Sequence, residues 1–202
     1  MKLIKAVRRI DVKRYFVASQ YIRKHGSKSR YLPLLSRAVF IKKLSRAKRY
    51  AEKLKESQLD RIIKNEYEKR WKAYNNVEWY LGIASVSELG VWKGAGGLPV
   101  QWTRGSLKQT AEKVKAAMKR NSSLISKRAR RAIPRILQTS ADLIQKDKYL
   151  FPIVLPGGTQ GRKGLQKMKG DIDDGCMRSI ALAVKGCKKL KVYIGVQKKL
   201  TK

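Results

Sequence analysis

Positive charge, carried on segments that also bear apolar stripes, constrains this chain more than any other feature. Lys and Arg number 49 against 14 Asp and Glu, a formal net charge of +35 over 202 residues. Self-repulsion on that scale opposes a compact state unless a polyanion neutralises it. Yet 43% of the residues are hydrophobic, the content of a chain that buries a core and not of a disordered basic tail. A fold must therefore turn the stripes inward and hold the cations outward. The partner this implies is nucleic acid, DNA or RNA, inside a large assembly of subunits. The length suits one domain, or one domain with a long extension.

The charge is uneven. Residues 1–51 hold sixteen Lys or Arg and one acid, Asp11. Acids then gather between Glu52 and Glu88. Residues 93–139 hold twelve Lys or Arg and one acid, Glu112. Asp171, Asp173 and Asp174 form a last acidic group. No apolar run approaches the roughly 18–20 residues that span a bilayer. The N-terminal residues lack the continuous apolar stretch of a secretory signal, and their Arg-rich pattern runs on far past a transit peptide. Two cysteines, Cys176 and Cys187, are too few for a disulfide scaffold or a zinc site, and a reducing compartment is expected.

Periodicity predicts helices and strands. Leu3, Ala6, Val7 and Ile10 predict a basic amphipathic helix over 3–24, stopped at His25–Ser29. A long helical stretch is expected from Pro33 to Tyr74, with a break near Ser57. Residues 82–105, rich in glycine and carrying Trp92 and Trp102, read as a linker between two halves. Short strands are expected there at 82–86 and 98–102. Ser106 and Gln109 have capping-box spacing, so a helix should follow and continue to about Lys148, kinked or split at Pro134. Residues 151–156, flanked by prolines, read as an edge or loop segment, and Gly157–Gly170 as a mobile loop. Alternation predicts strands at 178–185 and 190–196, joined as a hairpin by Gly186, Cys187 and Lys188. The fold class expected is α+β. Basic helices over 1–81 precede helices packed on a small antiparallel sheet over 106–202.

The first basic block offers Arg8, Arg9, Lys13, Arg14, Arg23, Lys24, Lys42, Lys43, Arg46, Lys48 and Arg49 to phosphates. Such blocks bind polyanions by releasing condensed counterions. The second offers Lys127, Arg128, Arg130, Arg131 and Arg135, with Lys119 and Arg120 before them. Arginine's planar fork suits phosphate, and no base-reading motif accompanies it, so these contacts position without reading sequence. Aromatics from Tyr15 to Tyr80 interleave with the cations. Their helical spacing places them in a core, and stacking on unpaired bases is the alternative. Gly94–Pro99 lacks the ending of a phosphate loop. The three aspartates lack calcium-loop spacing, and pairing with Lys or Arg of a neighbouring subunit serves them as well. With one histidine and no nucleophile–base pair, neither an enzyme nor a bound metal or cofactor is expected.

Residues 107–197 resemble the tail-completion, or head–tail joining, proteins of tailed bacteriophages. The resemblance rests on three features. They are the basic, Ala-containing helices of 107–148, the string Gly175-Cys176-Met177-Arg178-Ser179-Ile180 leading into a hairpin, and the terminal Lys191-Val192-Tyr193-Ile194-Gly195-Val196. It implies a ring-forming structural protein at the virion neck, around the DNA path. The alternative settings are a ribosomal or mitoribosomal protein packing against rRNA, and a membrane-active basic helix confined to residues 1–24.

Overall fold

A computed structural model describes residues 1–25, 37–120, 122–144, 150–159 and 165–198. The expected stop at 26–29, the start at Pro33 and residues 160–164 lie outside them. Six strands form one mixed sheet, in the order β1 (Lys2–Val7), β2 (Val77–Ser85), β6 (Lys189–Gln197), β4 (Ile153–Leu155), β5 (Gly170–Asp174) and β3 (Leu89–Gly90). β1 with β2, β2 with β6, and β4 with β5 run antiparallel, while β4 with β6 and β3 with β5 run parallel. The α+β class holds, with a mixed sheet in place of a purely antiparallel one.

Strand alternation sends side chains to both faces, and helices cover each. On β6, Val192 and Ile194 join one buried cluster and Tyr193 the other. On β4, Val154 faces the first and Ile153 and Leu155 the second. The second cluster is closed by α1 (Arg9–His25), α2 (Arg37–Glu52), α3 (Glu56–Glu66) and α4 (Glu68–Asn75). Each presents a stripe at helical spacing: Val12, Phe16 and Val17 on α1, Leu44, Ala47 and Ala51 on α2, Leu59 and Ile63 on α3. Phe16, Leu59 and Ile63 are fully buried, a contribution of about 1.5–3 kcal/mol each. The first cluster is closed by α5 (Leu107–Lys119), α6 (Lys127–Ile144) and α7 (Cys176–Val184).

Several sequence expectations are corrected. Residues 2–7 are a strand, not the start of a helix, because β2 offers an edge that pairs Lys2 with Ile83 and Val7 with Trp79. Its side chains stay exposed except Val7, which is half-buried against the second cluster, and Lys2, Lys5 and a bulge between Leu3 and Lys5 blunt the free edge. The long helix breaks at residues 53–55, just before the expected Ser57, and again at an extended Tyr67. Residues 82–105 are no linker: they complete β2, supply β3 and bury Val86, Leu89, Val91, Ala95 and Leu98. Residues 100–102 form a 3-10 turn where a strand was expected. The helix after Ser106 stops at Lys119, and Pro134 sits inside α6 with its ring exposed. Residues 153–155 lie between β6 and β5, so the segment is interior, with Pro152 and Pro156 just outside it.

The largest correction is α7. Ile180, Leu182 and Val184 alternate with Ala181 and Ala183 as a strand would, but the segment is a helix. Its buried residues include Cys176, Ser179, Ile180, Ala181 and Leu182. A short helix that is apolar nearly all round shows no distinct period. Gly175 starts it at φ +94, a conformation that favours glycine.

Candidate nucleic-acid interface

The first basic block splits in two. Cations of α1 are engaged by acids of the chain itself. Lys13 is wholly buried, its Nζ 2.8 Å from Glu56 and 2.6 Å from Asp60, so its assignment to phosphate is corrected. Arg9 reaches Glu56 Oε1 at 3.3 Å and the Asn75 carbonyl at 3.2 Å. Arg23 and Lys24 share Glu66 at 3.0 and 2.6 Å. Arg8 grips Asp11 with two bonds of 2.9 and 3.0 Å, and Arg14 reaches the Glu52 carbonyl. Bonds from Lys13 and from Lys24 hold the Glu56 and Glu66 carboxyls below the usual carboxylate range. These acids cluster after residue 52 because α3 lies against α1 and must neutralise it.

α2 is different. Its apolar stripe faces inward, so Lys42, Arg46 and Arg49 project on the outer side at spacings of four and three, continued by Lys53. All four are exposed, and with the half-buried Lys43 they make no ion pair among the described residues. At about 1.5 Å rise per residue, Lys42 to Arg49 covers about 10 Å of axis, enough to follow several phosphates of one strand. Lys48 lies off this stripe, its amine 5.5 Å above the Tyr15 ring. Burial lowers its pKa, and Glu52 opposes that shift.

The second block stands on the opposite face of the sheet. Ala129 and Ile133 anchor α6 in the cluster remote from α2. Lys127 and Arg128 are exposed and without an ion pair among the described residues. Arg130 is half-buried and donates to the Ser122 carbonyl, closing the turn between α5 and α6. Arg131 is exposed and Arg135 half-buried, and each has an interaction of its own. Lys119 and Arg120 are exposed at the end of α5. The two blocks therefore form no single surface.

The aspartates of β5 turn inward. Asp173 accepts from Arg70 Nε at 2.6 Å, from the Tyr74 hydroxyl at 2.9 Å and from Thr159. Asp174 accepts from Arg178 at 2.7 Å, and Arg178 also donates to Ser19. Both pair within the chain, and not with a neighbouring subunit as one of the readings from sequence had it. Sequence reasoning missed Arg70, because nothing in the sequence marks which arginine meets which acid 103 residues away. Among the described residues, no group of three or more His, Cys, Asp or Glu is placed to hold a metal ion. Burial pushes the Cys176 thiol far up, so it is no thiolate at neutral pH.

Comparison with family models, with curated proteins and with solved structures finds no match to this chain. No helix among the described residues is long and apolar enough to cross a membrane.

Proposed function

We propose that this chain is a non-enzymatic structural component of a nucleoprotein assembly, meeting nucleic-acid phosphate through the outer stripe of α2. One observation carries this reading. Lys42, Arg46, Arg49 and Lys53 are exposed along one side with no acid paired to them among the described residues, while α1 beside them is neutralised from within. A solvated helix face of no function normally mixes signs. Lys127 and Arg128 supply a second, separate contact. The setting we favour is the neck of a tailed-phage virion, as one of a ring of copies facing packaged DNA. It rests on the resemblance of residues 107–197. Within that stretch the terminal strand lies in β6, while the hairpin lead-in at 175–180 begins α7.

Binding of a fluorescent DNA duplex, followed by anisotropy over a salt series, tests the interface. Removing four phosphate contacts from B-DNA should make the slope of log K against log salt shallower by about 3.6. The variant is Lys42→Gln, Arg46→Gln, Arg49→Gln and Lys53→Gln together. An unchanged slope would remove α2 from the interface. Sedimentation of a native lysate tests the setting. Migration with DNA-filled virions supports the neck, and RNase-sensitive migration with ribosomal subunits replaces it with rRNA.

A further inference from the structure

Where the α1–α2 layer stops short of β1, the sheet is left uncovered and a cleft of about 710 Å³ opens. That volume lies in the range of about 300–1,000 Å³ typical of small-ligand sites. Its floor is aromatic. Tyr15 stacks on Phe151 with ring centroids 6.1 Å apart and meets Tyr193 edge-on at 4.8 Å. Burial first, and Tyr15 second, push the Tyr193 phenol up, so Tyr193 brings no negative charge to the floor. Its walls are cationic. Lys48 stands over the Tyr15 ring and Lys191 over the Phe151 ring, at 5.5 and 5.1 Å. Arg14 also lines the cleft; among the described residues its buried Nε has no hydrogen-bond partner, while Nη1 lies 3.6 Å from Asp11 and Nη2 donates to the Glu52 carbonyl. Asp11 and Glu52 line it too, but Arg8 already holds Asp11 with two bonds.

We propose that this cleft takes an unpaired nucleotide of single-stranded nucleic acid, its base against the aromatic floor and its phosphate between Lys48, Lys191 and Arg14. The proposal rests on the polyanion reading above and deepens it. Aromatic side chains with cations beside them are the pairing that single strands need, because their bases have free faces and their phosphates need neutralising; Lys48 and Lys191 rest over the rings and move aside to the phosphate as the base enters. A duplex keeps its bases stacked and cannot place one here. The cleft is thus separate from the outer stripe of α2, which meets backbone alone. Lys48 belongs to the same helix but faces the other way.

The test compares two probes, a fluorescent dT12 strand and a blunt duplex, on the full chain and on Lys48→Gln with Lys191→Gln. Both changes remove the charge and leave a shorter polar side chain, and a thermal melt checks the fold. The expected result is a loss of dT12 affinity of about tenfold, with the salt slope shallower by about 1.4 for two single-strand contacts, and duplex affinity unchanged. Wild-type protein that binds both probes, with the double variant losing neither or losing both equally, overturns the cleft alone. Wild-type protein that binds neither overturns the polyanion reading with it.

Discussion

Arg70 and Asp173 offer a quantitative test of how the α1–α4 layer is tied to the sheet. The Asp173 side chain is wholly buried and that of Arg70 only 7% exposed. Their link is 2.6 Å, with Tyr74 and Thr159 completing the carboxylate's partners. Arg70 also lies 4.7 Å over the Phe16 ring. Burial works against its charge, yet Asp173 and then Tyr74 hold its pKa above the ordinary value. Removing one member leaves the other charged in a dry site, which costs about 3–5 kcal/mol. Against a total stability of about 5–15 kcal/mol, that is a large share. At about 2–4 °C per kcal/mol for a chain of this size, Arg70→Met should lower Tm by about 6–20 °C. Asp173→Leu should do the same. The double variant should cost less than either single one, because apolar groups replace a buried pair at little cost. Urea titration of all four proteins gives the cycle. Two single costs below about 1 kcal/mol, adding in the double, would show that the pair is solvated and the reasoning wrong.

Other outcomes follow from single contacts. Lys127→Glu with Arg128→Glu should weaken duplex binding and leave Tm unchanged. Arg130→Glu should instead lower Tm by opening the turn at Ser122, and equal effects of the two would refute the division. Bonds from the Met1 amino group, the Ser85 amide and Lys169 hold the Glu88 carboxyl at about 2, down from 4.5. A depressed folded pKa gives stability that is present above 4.5 and lost as pH falls toward 2. Urea midpoints of wild type and Glu88→Gln should therefore converge over that window, and a constant gap would refute the assignment. Gly175→Ala forces a Cβ into φ +94 and to 2.8 Å from Arg178. A loss of about 1–2 kcal/mol is expected, and an unshifted melting curve would count against that backbone.

The sequence revealed elements wherever local chemistry was decisive. Ser106 caps α5 because its hydroxyl and the Gln109 side chain satisfy each other's backbone N–H groups, a signal four residues long. β6 was legible because Leu190, Val192 and Ile194 alternate with residues of another character. α7 was not, because alanines fill the alternate positions and burial on all sides erases the period. β1 was misjudged because Leu3, Ala6 and Val7 fit a helix, and only the free edge of β2 makes them a strand. Positive charge marked the candidate interface only coarsely. Sorting Lys13 from Arg46 required knowing that Glu56 and Asp60 would fold back onto α1.

The strand order carries a consequence for how the chain is made. β6, at residues 189–197, lies between β2 and β4. Until those residues have left the ribosome, β1 with β2 and β4 with β5 are separate pieces with raw inner edges. Each would bear a layer of helices with an unfilled apolar face. Pairings so distant in sequence close slowly, and such intermediates aggregate readily. Productive folding of the sheet therefore waits for β6, whose arrival joins the two pieces.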